Sequence, residues 1–216
     1  MYNWLNLQKN GGFIGRKGYF GAKSTIREEQ KMSFDVIEEL SKYQPFDDNE
    51  ARNITATLDF VAECGNLATA CDRYGGSHLT AGVFVVDRDG RILLNHHKKA
   101  GLWIQFGGHC DNETDIMAVA LREAMEETGI SRDKMRVIKE GIFDCAVYNI
   151  PANRTKGEPA HMHYDINFLV MVSDTTFHMS SESTELRWCT PSEALELIAG
   201  DEALIRMIKK SRKYFE

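Results

Sequence analysis

No stretch of this sequence stays apolar for the roughly 18 residues that a membrane-spanning helix needs, so no span is expected. Cysteine is sparse and shows no pairing pattern. Cys64, Cys71, Cys110, Cys145 and Cys189 are an odd set of five without a Cys-x-x-Cys spacing, which argues against a disulfide framework. Positive charge is not in excess either. The net charge is −6 and the pI about 5.7, which speak against a general nucleic-acid coat or an anionic membrane surface as partner. The N-terminal Met1-Tyr2-Asn3-Trp4-Leu5-Asn6-Leu7 lacks the charged start and apolar centre of a signal peptide. No internal repeat or low-complexity tract appears. A soluble, cytoplasmic, reduced protein is therefore expected. With 216 residues, 43% of them hydrophobic, the chain is long enough for one full core and an appendage.

What the chain does contain divides near residue 76. Residues 1–24 are glycine-rich, with Gly11, Gly12, Gly15, Gly18 and Gly21 in a spacing that fits neither a Walker loop nor a Rossmann turn; they read as a loose or docking arm. Thr25 with Glu28 forms a capping-box pattern that opens a helix to about Tyr43, stopped by Pro45. Asp47 or Asp48 caps a second helix to about Cys64, with Ile54, Leu58 and Val61 on one side. Residues 1–76 thus read as an N-terminal arm and helical extension, for packing, a homodimer contact or substrate choice.

From His78 the period changes to that of strands. Leu79–Val86 and Arg91–Asn95 flank an Asp87-Arg88-Asp89-Gly90 hairpin turn. Leu102–Phe106 leads into a glycine pair. Further strands are expected near Val137–Tyr148, Ile166–Val172 and Glu185–Cys189, with an insertion loop at Pro151–Pro159. Thr190 then caps a helix that has Pro191 at its first position, and a closing helix runs from Asp201 to Tyr214. Strands around one central helix, followed by closing helices, imply an α+β domain over 77–216, a mixed sheet sandwiched between helices.

The central helix lies in the run Gly107-Gly108-His109-Cys110-Asp111-Asn112-Glu113-Thr114-Asp115-Ile116 and onward to Ile130. Glu123, Glu126 and Glu127 stand at i, i+3 and i+4, so their carboxylates share one helical face. Ile116, Met117, Ala120, Leu121 and Ala124 form a separate apolar stripe, and Gly129 suits the left-handed C-terminal position. Like charges at i,i+4 cost about 0.2–0.5 kcal/mol per pair, and a divalent cation would reverse the sign of that interaction. Gly107 and Gly108 allow backbone to approach an anion closely.

The run Gly108-x5-Thr114-x7-Arg122-Glu123-Ala124-x-Glu126-Glu127-x-Gly129-Ile130 resembles the Nudix box, G-x5-E-x7-R-E-U-x-E-E-x-G-U with U aliphatic. Thr114 replaces the first glutamate, with Glu113 one residue early, and Ala124 is a small occupant of the first U. The resemblance implies the Nudix α/β/α sandwich and the hydrolysis of a diphosphate linkage in a small molecule, such as a nucleoside diphosphate derivative, with Mg²⁺ or Mn²⁺ as cofactor. It further implies Glu126 and Glu127 as metal ligands helped by the Gly107 carbonyl, Glu123 as a ligand or general base, and Arg122 as the group that holds Glu123. Glu182 or Glu185 are candidates for an acid outside the box. Gly108, His97 and Trp103 are the candidate substrate contacts, although an aromatic placed like Trp103 is more often part of the core. A non-hydrolytic isomerase and a nucleotide- or metal-binding sensor that has lost catalysis are the rival readings; Thr114 is the feature that speaks for the sensor.

The histidines form a second pattern. In His161-Met162-His163-Tyr164-Asp165, strand alternation puts His161, His163 and Asp165 on one face, with the two imidazoles about 6.7 Å apart along the strand. His78 at a strand start and His109 in the box loop are candidates to converge there. The arrangement is similar to that of isopentenyl diphosphate isomerase, a branch of the same fold, in which an early-strand histidine, a box-loop histidine and an alternating acid pair bind a metal. Here histidines replace the two acids, and Gly107 holds the place of the isomerase's reactive cysteine, which disfavours isomerase chemistry. A zinc-type site at His78, His109, His161 and His163 and simple hydrogen bonding to phosphate or water both stay open.

Overall fold

The first strand, β1 (His78–Val86), is buried at all nine positions because strands flank it on both edges and helices cover both faces. The computed structural model describes residues 35–70, 76–155 and 157–215, all within one unit, Ser33–Glu216. On one edge β1 runs parallel to β7 (His161–Val172), with His78 opposite His163 and Thr80 opposite Asp165. On its other edge the N-terminal half pairs antiparallel with β4 (Phe106–His109) and the last two residues pair with β2 (Ile92–His97). The sheet of eight strands runs β3-β2-β1-β7-β5, with β3 at Leu102–Ile104 and β5 at Met135–Val137. Off that path β6 (Asp144–Ile150) pairs with β7, and β8 (Ser183–Cys189) pairs with β2.

Alternation along β1 builds the two cores. Val83 and Val85 face one apolar cluster, which takes Ile116, Val119, Ala120 and Ala124 from the central helix α3 (Ile116–Thr128). The same cluster takes Val36 and Leu40 from α1 (Val36–Lys42) and Ile54, Phe60 and Val61 from α2 (Asp48–Cys64). Phe84 and Val86 point the other way, toward Ala194 of α4 (Pro191–Leu197) and Leu204, Met207 and Ile208 of α5 (Glu202–Ser211). Burying each such Val, Leu, Ile, Phe or Met side chain contributes about 1.5–3 kcal/mol. The result is the mixed-sheet α/β/α sandwich that the sequence implies. No helix among the described residues is long and apolar enough to cross a membrane.

Several boundaries differ from those expected. The Thr25–Glu28 cap lies outside the described residues; the described helix starts at Val36, because Asp35 is extended and its carboxylate accepts from the backbone N–H groups of Ile37 and Glu38. The strand expected over Val137–Tyr148 is two strands. Both halves hydrogen-bond to β7, but residues 138–143 bow out around Gly141, which has φ of +71°. The run Leu102–Phe106 breaks at Gln105, whose amide donates to the Asp165 carboxylate at 2.9 Å. The caps expected at Asp47 and Thr190 are present; Thr190 forms a capping box with Glu193 on α4, and Asp201 caps α5. The closing helix proper ends at Ser211, with a 3-10 turn over Arg212–Tyr214.

A buried polar cluster ties α2, β6 and α5 together. Arg206 is 1% exposed, and its guanidinium donates to both Asp144 carboxylate oxygens at 2.7 and 2.9 Å. The Lys210 ammonium donates to Glu50 at 2.7 Å, to Asp144 at 2.8 Å and to the Tyr43 hydroxyl at 2.5 Å. Two acids and two bases balance, so neither charge is buried alone.

Candidate active site

Helix α3 starts where the Asp115 carboxylate accepts from the Ala118 backbone N–H and stops at Gly129 in the left-handed region, φ +68°. Its buried stripe of Ile116, Val119, Ala120 and Ala124 presses on the sheet, which fixes its rotation about its own axis. That rotation sends Glu127 inward, Glu123 to the boundary and Glu126 to solvent. Glu127 is 7% exposed. One of its oxygens accepts the Gly107 backbone N–H at 2.8 Å, the other the Asn95 side-chain amide at 3.1 Å. Glu123 accepts the Arg122 guanidinium at 2.7 Å, and the same guanidinium nitrogen lies 3.6 Å from Glu126.

Charge accumulates here faster than it is neutralised. Burial pushes Glu127 up to about 7, and the nearby Glu123, Glu182 and Glu126 add to the rise against the opposing Gly107 N–H. Burial likewise raises Glu123, which Arg122 partly offsets. Within the helix, Glu123 and Glu126 share the one Arg122 guanidinium, and among the described residues Glu127 has no cationic partner beside it. A divalent cation suits that donor set, because carboxylate oxygens are its preferred ligands and its charge would offset theirs. Glu123, Glu126 and Glu127 are the residues that would hold it.

The two glycines before the helix serve different neighbours. At Gly107, φ is +153°, and a Cβ would lie 2.4 Å from the Ala81 carbonyl oxygen, so only glycine lets β4 come this close to β1. At Gly108 a Cβ would lie 2.7 Å from the Glu123 carboxyl carbon. The space beside Gly108 is the space the Glu123 carboxylate occupies. Thr114 and Glu113 are both exposed.

Outside the helix, Glu182 lies close enough to act on Glu127 electrostatically and sits 3.9 Å from His97 Nε2 and 3.7 Å from Lys99. Glu185 is instead held by Arg187 at 2.6 Å. His97, at the end of β2, accepts the Ala100 backbone N–H and is half-buried beside Glu182. Trp103 is not brought to the carboxylates. It pairs with His96 across β2 and β3 and packs toward the α4–α5 core, with the Arg187 guanidinium 5.1 Å from its ring. Because Asn95 faces Glu127, its neighbour His96 and the cross-strand Trp103 lie on the opposite side of the sheet.

The four histidines meet at the start of β1. Ring nitrogens of His78, His109 and His163 lie within 4.8 Å of one another, and His161 Nε2 is 3.1 Å from His163 Nε2. Burial, followed by the neighbouring imidazoles, holds His163 down to about 3 and His78 below its usual value. Asp165 follows on the same face, buried, accepting from Thr80, Gln105 and Asn167 at 2.8–2.9 Å. Cys110 is buried outside the imidazole group, and burial pushes its thiol up to about 12. Among the described residues Cys64, Cys145 and Cys189 are also buried.

Sequence reasoning passed over Asn95. It ends the apolar run Ile92-Leu93-Leu94, and a polar residue closing such a run was the available signal. Its amide nitrogen holds Glu127, while its buried Oδ1 has no partner.

The sequence family described as NUDIX domain matches residues 76–210. That is more than half of the chain, and the protein belongs to this family. A probable DHNTP pyrophosphohydrolase of Lactococcus lactis subsp. cremoris is 29% identical over 96 residues, covering 44% of this chain and 55% of the relative. The chain spans about half the length of the curated relatives it matches. Among solved structures, a C. elegans Ap4A hydrolase in a binary complex superposes with a TM-score of 0.54 at 18% identity, over 63% of this chain and 96% of that one. The E. coli dihydroneopterin triphosphate pyrophosphohydrolase superposes with a TM-score of 0.52 at 14% identity, over 62% of this chain and 95% of that one. At such identities the superpositions establish the fold alone.

Proposed function

We propose that this chain hydrolyses a diphosphate linkage in a nucleoside diphosphate derivative or a related small molecule, with Mg²⁺ or Mn²⁺ bound by the α3 carboxylates. The observation that carries the reading is the convergence of Glu123, Glu126 and Glu127 beside the Gly107–Gly108 backbone, with one guanidinium among them. Membership of the NUDIX domain family supports it, as does the relative named a probable DHNTP pyrophosphohydrolase. When bound, the cation supplies neutralisation of diphosphate charge and polarisation of a water. Glu123, half-buried and oriented by Arg122, takes the proton from the water that attacks phosphorus. Glu127 is held rigid by Gly107 and Asn95 and keeps its place on the cation side. Gly108 leaves room for the Glu123 carboxylate and for an approaching phosphate oxygen. His97 at the end of β2 and Glu182 just before β8 bound the substrate side.

The test is a screen of nucleotide sugars, dinucleoside polyphosphates, nucleoside and pterin triphosphates and isoprenoid diphosphates in Mg²⁺ and in Mn²⁺, with product identification. Cleavage of a phosphorus–oxygen bond is the expected result. An isomeric product without phosphate release, or saturable binding without turnover, would overturn the reading.

A further inference from the structure

We propose that His78, His109 and His163, joined by His161, form a second metal site that takes one imidazole-seeking transition-metal ion such as Zn²⁺. Three adjacent strands build it. His78 opens β1, His163 lies directly across from it on β7, and His109 lies across from Thr80 on β4. The site is therefore set by sheet register rather than by loops, and nitrogens of these three residues fall within 4.8 Å of one another.

The hydrogen bonds fix which nitrogens face inward. His78 Nδ1 donates to the Gly76 carbonyl at 2.5 Å, so its Nε2 carries a lone pair. That Nε2 is buried without any partner, in a residue 2% exposed. An unpaired buried acceptor is costly, and a cation would satisfy it. His161 Nδ1 likewise faces a carbonyl, that of Pro159 at 2.9 Å, which leaves a lone pair on Nε2. Histidines that ligate a metal commonly donate their other ring N–H to a carbonyl in this way. The 3.1 Å between His161 Nε2 and His163 Nε2 is close to the roughly 3.3–3.4 Å expected between nitrogens on a tetrahedral ion with bonds of about 2.0–2.1 Å.

The chemistry of the donors selects the ligand. The lone pairs on His78 Nε2 and His161 Nε2 repel a phosphate oxygen, which makes the cluster a poor anion site. No carboxylate belongs to the group, which disfavours Mg²⁺ and Ca²⁺ and favours Zn²⁺, Co²⁺ or Ni²⁺. The site is also distinct from the α3 carboxylates. Gly107, bonded to Glu127, lies opposite Gly82, four residues from His78, or about 13 Å along β1. An ion here would tie His109, and with it the loop that leads into α3, to the two central strands.

The experiment uses the full chain without a polyhistidine tag, loaded with Zn²⁺, dialysed and analysed for bound metal, and separately titrated with Co²⁺ by visible absorption. About one equivalent of Zn²⁺ should survive dialysis in the wild type and in Glu127→Gln, which disturbs only the acidic centre. His163→Ala and His109→Ala should each weaken retention by at least ~10-fold and abolish the Co²⁺ absorption bands. His109 is exposed, so its variant decides the matter if His163→Ala fails to fold by circular dichroism. Wild-type protein that keeps no Zn²⁺, or a folded His109→Ala variant that keeps all of it, would overturn the proposal.

Discussion

The backbone N–H of Gly107 and the carboxylate of Glu127 meet at 2.8 Å, which locks the last acid of the central helix to the strand that precedes it. The bond survives burial that pushes Glu127 up to about 7. An ionised Glu127 is therefore held under strain that a cation or a proton relieves.

A pH dependence follows. A carboxyl group whose folded pKa lies above its unfolded value favours the folded state at low pH. That advantage is lost as pH rises from the usual carboxylate range through about 7. Metal-free protein should lose on the order of 3 kcal/mol across this window from Glu127, seen as a falling Tm from pH 5 to pH 8. Glu127→Gln should remove most of that slope, and Mg²⁺ should stabilise the wild type more at pH 8 than at pH 6. An unchanged slope in Glu127→Gln would place the burden on other groups.

Glu123→Gln keeps the size of the side chain and removes its ability to take a proton. Turnover should fall about 10²–10⁴-fold with little change in KM or Tm. Loss of Glu126 should act differently, raising the metal concentration needed for half-maximal rate. Near-normal turnover in Glu123→Gln would move the base to another residue.

The adjacent glycines should separate activity from stability. Gly108→Ala puts a methyl group 2.7 Å from the Glu123 carboxyl carbon. The side chain can swing away, so the fold should persist while turnover drops about 10²-fold from the misplaced carboxylate. Gly107→Ala meets the Ala81 carbonyl oxygen at 2.4 Å with φ at +153°, which backbone must absorb. It should cost about 1–3 kcal/mol or more in urea denaturation. Equal effects of the two substitutions on Tm would contradict this division.

The buried charges between α2, β6 and α5 form a balanced set, and removing one member leaves the others uncompensated. Arg206→Ala should destabilise the fold by about 3–5 kcal/mol, because Asp144 then keeps Lys210 as its charged donor without the guanidinium. Equilibrium denaturation measures this directly, and a loss below about 1 kcal/mol would show the cluster to be as weak as a surface pair.

The sequence disclosed local chemistry well and distant pairing poorly. The helix from Ile116 to Thr128, with its acids on one face, was legible because its period and its Gly129 stop lie within two dozen residues. The caps at Asp47 and Thr190 were legible for the same reason. The parallel pairing of His78 with His163 was not, because nothing local sets the register between strands 85 residues apart. The Arg206–Asp144 and Lys210–Glu50 contacts were hidden likewise, because their partners lie 62 and 160 residues away in the chain. Trp103 resisted reading because its side of the sheet depends on its cross-strand partner, His96.

The most direct test is anomalous diffraction at the manganese edge from crystals soaked in Mn²⁺ with a non-hydrolysable diphosphate compound. The expected result is a peak bonded to carboxylate oxygens of Glu123, Glu126 or Glu127, with diphosphate oxygens completing its shell. A fully occupied manganese bound elsewhere, with all three carboxylates unliganded, would contradict the assignment of α3 as the catalytic metal centre.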